Sequence, residues 1–394
     1  MLALIDPAAQ PLPEHPSVAF VWPTELCAVA CAHCSFGSRS TGPASTRLLA
    51  QHPKELVQWL KRAQAKTFVA CGGGEPLDEP EFLLRTIEAC AQHNISFEIY
   101  TSGASSAGRV SVRQYILAWR GAWSHRANPK LKFRVRLSVD SFHQERIGLE
   151  PVAEWIREIE ALAPEWTLSL RGIRMEGDNS VRELAELVGA GFREISESVA
   201  TLTMAKGRRV LVERKGFVFD GRGSIRSLER RGLHFTKTDA AVLQPLVETY
   251  GRNFPLGRPI SARLTVMHHH MDLEIHSDCV VHLLEAQGVD LRLSFLEQSW
   301  EEMRSVYYKD PIVHLVAARG LRGVAELIIR ALKLGISKSP NMPFSIEKLK
   351  DHSTLDWITA QAMLQNQDQF IYPENALRLA HNHLRSTATS SVES

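Results

Sequence analysis

The chain has 394 residues, of which 44% are apolar, and its 46 basic and 44 acidic side chains leave a formal net charge of +2. That length suits a barrel of about 200 to 250 residues with a smaller attachment, and the charge balance argues against a dedicated nucleic-acid-binding protein, which carries a basic excess. No secretory signal and no run near the roughly 20 apolar residues of a membrane span are evident; the six cysteines, at positions 27, 31, 34, 71, 90 and 279, are a poor disulfide framework, so a reduced, cytoplasmic protein is expected.

Residues 1–16 read as a Pro-rich arm. Strand-like segments follow at 17–22, 67–71, 96–101, 133–139 and 167–171, with a sixth expected within 197–204. Helical patterns lie between them at 47–65, 79–94, 111–119, 151–162 and 181–190. Short strands alternating with helices signal βα units and a parallel sheet. The predicted class is therefore α/β, a partial (β/α)6 TIM barrel over 17–210 whose working groups sit at the C-terminal strand ends. A smaller α+β accessory domain is expected over 211–335, followed by a helical tail over 336–394 that ends in disorder. Residues 206–231 hold nine Lys or Arg against three Asp or Glu, either a solvated connector or a basic wall facing an acidic substrate. Short strands are expected within 260–296, and helical patterns return at 300–307, 311–318 and 324–333.

Three cysteines crowd the loop after the first strand as Cys27-x3-Cys31-x2-Cys34. A zinc site would need a fourth ligand, and the adjacent His33 can hardly bend back to the same ion as Cys34. A [4Fe–4S] cluster takes thiolates as its usual ligands. Three of them leave one iron open to a small molecule.

Further stretches complete the pattern. "CGGGEP" (71–76) follows the second strand, "YTSG" (100–103) ends the third, and "LSVDSFHQERIG" (137–148) ends the fourth. "MAKGRR" (204–209) follows the expected sixth. Together with the cysteine triplet these resemble the radical S-adenosylmethionine (SAM) enzymes, over about residues 17 to 210 with a weaker echo to about 335. The later part is similar to a C-terminal SPASM/twitch extension that lacks the auxiliary-cluster cysteines.

The resemblance implies an enzyme with two cofactors, one [4Fe–4S] cluster on Cys27, Cys31 and Cys34, and SAM chelating its open iron. One electron from a donor such as flavodoxin or ferredoxin would cleave SAM to a 5′-deoxyadenosyl radical that abstracts hydrogen from a substrate. Gly73 and Gly74 would let the backbone approach SAM, Glu75 would accept from its methionyl ammonium, and Pro76 would fix the turn. Ser138 and Asp140, two apart on a strand, suit the ribose hydroxyls; the alternative is capping of the next helix. Ser102 would reach the ribose or the methionyl group. Arg171 would pair with the SAM carboxylate or form an interior ion pair, with Arg208 a weaker candidate for the same carboxylate. His33 stands where the family places an aromatic residue whose backbone lies near adenine.

Four further features are open. Cys71 and Cys90 read as buried small apolar residues, and with Cys279 they are too scattered for a second cluster. His268, His270 and Asp272 share a strand face, as a polar face or a metal set. His143 would lie near the substrate or at the surface. The substrate itself is expected to be a ribosomally made peptide or a small sugar or nucleoside intermediate, with no membrane and no nucleic acid involved. A metal-holding scaffold without catalysis is the competing class.

Overall fold

The computed structural model describes residues 14–31, 34, 38, 47–105, 110–173, 177–196, 198–215, 271–283, 291–310 and 313. Among the described residues there are ten strands: β1 (Val18–Val21), β2 (Thr67–Ala70), β3 (Ser96–Thr101), β4 (Phe133–Ser138), β5 (Thr167–Ile173), β6 (Gly191–Ser196), β7 (Val199–Thr203), β8 (Arg209–Lys215), β9 (Asp272–Ile275) and β10 (Val281–Leu283). They form one open sheet in the order β10-β9-β1-β2-β3-β4-β5-β8-β7-β6. From β1 through β5 to β8 every neighbour is parallel, and β9 adds a further parallel strand beside β1. Among the described residues seven helices accompany the sheet: α1 (Pro53–Arg62), α2 (Pro80–His93), α3 (Val112–Ser124), α4 (Ser141–Ile147), α5 (Glu150–Leu162), α6 (Ser180–Leu187) and α7 (Trp300–Tyr308). The mixed α/β class and the partial barrel expected from the sequence are both found. Among the described residues no helix is long and apolar enough to cross a membrane.

Alternation on the strands decides which side faces the helices. In β4, Phe133, Val135 and Leu137 join the core, while Arg134, Arg136 and Ser138 are directed to the other face. The core side carries a row of stacked rings, Phe68 on Phe97 at 5.4 Å, Phe97 on Phe133 at 5.3 Å and Phe133 on Trp166 at 4.0 Å. Trp119 of α3 and Trp155 of α5 stack at 5.4 Å over this row. Such aromatic pairs each add about 0.5–1.5 kcal/mol beyond the area they bury. The other face is polar, and it is the interior of the partial barrel.

Helix ends follow ordinary local chemistry. Ser111 and Gln114 form a capping box at α3, as Ser299 and Glu302 do at α7. Asn94 closes α2 in the left-handed region at φ 61°. The expected helix over 47–65 is a short 3-10 turn, Leu49–Gln51, followed by α1, because Pro53 at the first helical position starts a new helix.

One strand assignment is corrected. The segment expected as the sixth barrel strand is β7, which pairs antiparallel with both β6 and β8. The parallel neighbour of β5 is β8, in the register Arg171↔Glu213. A three-strand meander therefore stands where one βα unit was expected. β8 lies across the expected 210/211 division, and β9 and β10 from the 211–335 segment are strands of the same sheet. The expected helices at 311–318 and 324–333 and the tail from 336 fall outside the described residues, Val313 apart.

Candidate functional site

All the parallel strands end at one edge of the sheet, so the loops after β1 to β5 gather there. The loop after β1 carries Cys27, Cys31 and Cys34, each partly buried. It bends back on itself, Cys34 N–H donating to the Cys31 carbonyl at 3.1 Å, with Ala30 at φ 45°. Cys27 and Cys31 lie near enough for charge on one to act on the other, and burial, then Glu75, pushes the Cys27 thiol up to about 12. His33 falls outside the described residues.

The loop after β2 is built onto this cysteine loop. Glu75 N–H donates to the Leu26 carbonyl at 2.9 Å. A Cβ on Gly74 would overlap the Leu26 carbonyl oxygen and lie 2.6 Å from its carbonyl carbon. A Cβ on Gly73, at φ 61°, would sit 2.5 Å from the Thr24 carbonyl oxygen. The two glycines thus have a task that sequence reading missed: they let two backbones lie in contact beside Cys27. Ser38 adds a clamp, its hydroxyl 3.4 Å from Cys34 Sγ and donating to the Gly73 carbonyl.

Glu75 is only 3% exposed. Its carboxylate accepts from Thr101 Oγ1 (2.5 Å), Ser102 N (2.9 Å), Ser102 Oγ (2.7 Å) and Leu77 N (3.1 Å). Burial raises its pKa, and those four bonds oppose the rise. Ser102 therefore serves Glu75, and Thr101 joins it as a residue that sequence reading did not single out. Pro76 opens the 3-10 turn Pro76–Asp78, its fixed φ matching the turn.

The loop after β4 reaches the cysteines from the other side. Asp140, 2% exposed, caps α4: its Oδ1 accepts from His143 N at 3.1 Å and lies 2.8 Å from His143 Nδ1. The His143 ring also lies within electrostatic reach of Cys31. Burial pulls its pKa down, but Asp140 and then Cys31 outweigh it and push the imidazole up to about 10. On the same helix, Arg146 Nε donates to the Val29 carbonyl at 3.0 Å. The capping alternative for Asp140 is thus present, and the His143 side chain is mostly covered, 16% exposed.

Ser138 and Arg171 are register partners on β4 and β5. Among the described residues neither side chain makes a hydrogen bond, and the buried Arg171 Nε has no partner. Burial, then the neighbouring Arg136 charge, pulls the Arg171 pKa down to about 10. Deeper in the interior Arg136 pairs with Glu98 at 3.2 Å and lies 4.2 Å over the Tyr100 ring. On the far flank Trp22 stacks on His276 at 3.8 Å, and His276 meets His282 at 4.2 Å. The alternation in β4, "FRVRLS", was the signal that could have revealed this polar lane.

Other expected residues lie elsewhere. Arg208 is paired with Glu160 at 3.0 Å and with the Trp166 carbonyl, away from the cysteine loop. Asp272 is fully buried and accepts from Val18 N at 3.1 Å, while His268 and His270 are outside the described residues. Cys90 and Cys279 belong to the hydrophobic core, and Cys71 is buried on the interior side beside Glu98 and Glu274.

The donor chemistry fits a cluster better than a single ion. Among the described residues no three His, Cys, Asp or Glu side chains converge on one metal position. A [4Fe–4S] cluster asks for something else, one thiolate to each of several irons around a cube. Three thiols on one pinned loop meet that need.

Residues 22–188 match the family model described as Radical SAM superfamily. No curated protein sequence matches the chain. Among solved structures, similarity extends to anSMEcpe with bound AdoMet, at 12% identity and a TM-score of 0.44, covering 89% of this chain and 98% of that one. It extends also to BtrN in complex with AdoMet and 2-DOIA, at 10% identity and a TM-score of 0.36, covering 79% of this chain and 91% of that one.

Proposed function

We propose, for a chain that carries a Radical SAM superfamily domain over residues 22–188, that it holds one [4Fe–4S] cluster on Cys27, Cys31 and Cys34, binds SAM beside it, and abstracts hydrogen from a substrate. When bound, the cluster and SAM together supply a one-electron cleavage of a carbon–sulfur bond to a 5′-deoxyadenosyl radical. The single observation that carries the reading is the docking of the Gly-Gly-Glu-Pro turn onto the cysteine loop, through Gly74 against Leu26 and the Glu75 N–H on the Leu26 carbonyl. A fixed thiol loop and a buried carboxylate are thereby held together.

The chain's own groups divide the remaining work. Glu75 supplies buried negative charge toward which the methionyl ammonium of SAM is drawn, and Thr101 and Ser102 keep that carboxylate in place. Arg171 offers an unpaired guanidinium edge to the SAM carboxylate, and Ser138 beside it offers a hydroxyl to the ribose. Asp140 stands at the same strand end as the second ribose candidate, with its Oδ1 engaged by His143. His33, next to Cys34 in the sequence, is the candidate for a backbone contact to adenine. A flavodoxin or ferredoxin would serve as the electron donor.

The polar interior favours a small polar substrate. Arg134, Arg136 and Arg171 line it with Glu98, and Glu213 and Glu274 act on the same interior groups, so charges of both signs stand along this lane. A ribosomally made peptide is the second reading. Its electrostatic support is thin in the described part of the basic stretch, because Arg208 is paired with Glu160 and Arg214 with Glu194.

The test is anaerobic reconstitution followed by iron and sulfide analysis and assay of 5′-deoxyadenosine from SAM after reduction. About four irons per chain and deoxyadenosine release are expected. Both should vanish in the triple variant Cys27→Ala, Cys31→Ala, Cys34→Ala. One zinc per chain with no cleavage would return the protein to a structural metal scaffold.

A further inference from the structure

Tyr100, Arg136 and Ser169 stand side by side on β3, β4 and β5, in the register Tyr100↔Arg136 and Arg136↔Ser169. Register partners share a face of the sheet. Arg136 and Ser169 are two residues before Ser138 and Arg171, so the three side chains face the interior about 6.6 Å deeper. Arg136 is held on two sides: Glu98 meets its Nη2 at 3.2 Å, and its guanidinium carbon lies 4.2 Å over the Tyr100 ring. Phe20 braces that ring edge-on at 6.4 Å. Much of the hydrogen-bonding capacity here is nevertheless unused. Arg136 Nε is buried without an acceptor, and among the described residues the Tyr100 and Ser169 hydroxyls make no hydrogen bond. Protein interiors leave few such groups idle, because an unmet one carries its desolvation cost.

We propose that Tyr100, Arg136 and Ser169 form the substrate subsite beneath the SAM position, and that the substrate is an uncharged, hydroxyl-rich molecule of about one ring, a sugar or cyclitol. The inference deepens the function proposed above and rests on it, because Ser138 and Arg171 are there assigned to SAM. Three neighbouring strands set the groups across about 10 Å, the width of one such ring with its hydroxyls. Substrate hydroxyls can accept from the guanidinium and exchange hydrogen bonds in both directions with the phenol and the serine. Charge at this depth is balanced. Arg134 and Arg136 share Glu98, and Glu274 faces them from β9 as the register partner of Phe20. An anionic group therefore meets no arginine without a carboxylate beside it, whereas a neutral polyol uses the idle donors and brings no charge to be desolvated. A few fixed polar groups of this kind orient a small ligand in a pocket.

The probes are D-ribose, D-glucose and myo-inositol, each deuterated on carbon, with deuterated D-glucose 6-phosphate as the charged counterpart. The reconstituted full chain with SAM is titrated with each by calorimetry before reduction, and deuterium in 5′-deoxyadenosine is read by mass spectrometry after it. At least one uncharged probe is expected to bind and to pass deuterium, and to do so better than the phosphate. Tyr100→Phe and Ser169→Ala each remove an oxygen that holds no hydrogen bond in the fold. Both are expected to keep the wild-type melting temperature and to weaken binding of that probe several-fold. Arg136→Lys keeps a charge for Glu98 but loses the planar fork, and is expected to weaken it further. Should Arg136→Lys melt early, the two hydroxyl variants decide alone. Preference for the phosphate, no deuterium from any uncharged probe, or wild-type binding in the hydroxyl variants overturns the inference, while release of deoxyadenosine leaves the proposed function standing. A wild-type chain that loads no iron or releases no deoxyadenosine overturns the proposed function first.

Discussion

Gly74 shows how a residue without a side chain governs a site. Its missing Cβ is the space that the Leu26 backbone occupies, one residue before the first cysteine. The neighbour is main chain, so no rotamer change relieves an added methyl. Overpacking of this kind costs about 1–3 kcal/mol, and the strain falls on the turn that positions Cys27. Gly74→Ala is therefore expected to lower stability by about 1–3 kcal/mol and, more tellingly, to cut iron loading at temperatures where the chain is still folded. Gly121→Ala is the control. It lies inside α3 with nothing within 4 Å of an added Cβ, so it should stabilise by about 0.5–1 kcal/mol and leave iron content unchanged. Denaturant midpoints and iron analysis on both variants check the pair. At this scale the cysteines and the Gly-Gly-Glu-Pro stretch were legible because their spacing is local. The partners of Glu75 were not, since Thr101 and Ser102 reach it from another strand across 26 and 27 positions. The same holds for His143, which comes within reach of Cys31 only because β4 and β1 end at one edge.

Strands β1 to β5 were legible because each is a short apolar or alternating run closed by a turn, followed by a helix with its own periodicity. The meander β6-β7-β8 was not, because a segment's local pattern does not say whether its neighbour runs parallel or antiparallel. Only β8 takes the place beside β5. Its alternation yields a sharp contrast between adjacent residues. Val212 is fully buried in the core, whereas Leu211 is 42% exposed. Val212→Ala removes two buried methylene equivalents at about 0.8 kcal/mol each, plus a cavity term. A loss of about 1.5–3 kcal/mol is expected. Leu211→Ala, larger in atoms removed, is expected to cost less than about 0.5 kcal/mol. Urea titrations of the two variants decide it. Equal losses would mean that this segment is not held in the β8 register.

The chain's late residues return to its beginning. β9 pairs with β1 through Val18↔Asp272, a contact spanning 254 positions that no local pattern announces. The tie continues beyond the sheet. Trp300 of α7 sets its ring edge-on to Trp59 of α1 at 6.4 Å and donates Nε1–H to the Glu14 carbonyl at 2.8 Å. Trp59 in turn donates to the Gln298 carbonyl at 2.9 Å. Ser277 reaches Glu25, two residues before Cys27, at 3.1 Å. The sequence suggested a partial barrel over 17–210 followed by a smaller accessory domain over 211–335, and these contacts make residues 271–283 and 291–310 part of the wall beside the cysteine loop. The two arrangements melt differently. A separate domain would unfold on its own when Trp300 is truncated, leaving the barrel's transition in place. A shared core unfolds together, so Trp300→Ala is expected to lower the stability of the whole described unit by about 3–5 kcal/mol. Far-UV circular dichroism and tryptophan fluorescence should then trace one coincident transition. Iron retention should fall with that transition too, because β1, which leads into the cysteine loop, loses its support when the β9 side opens.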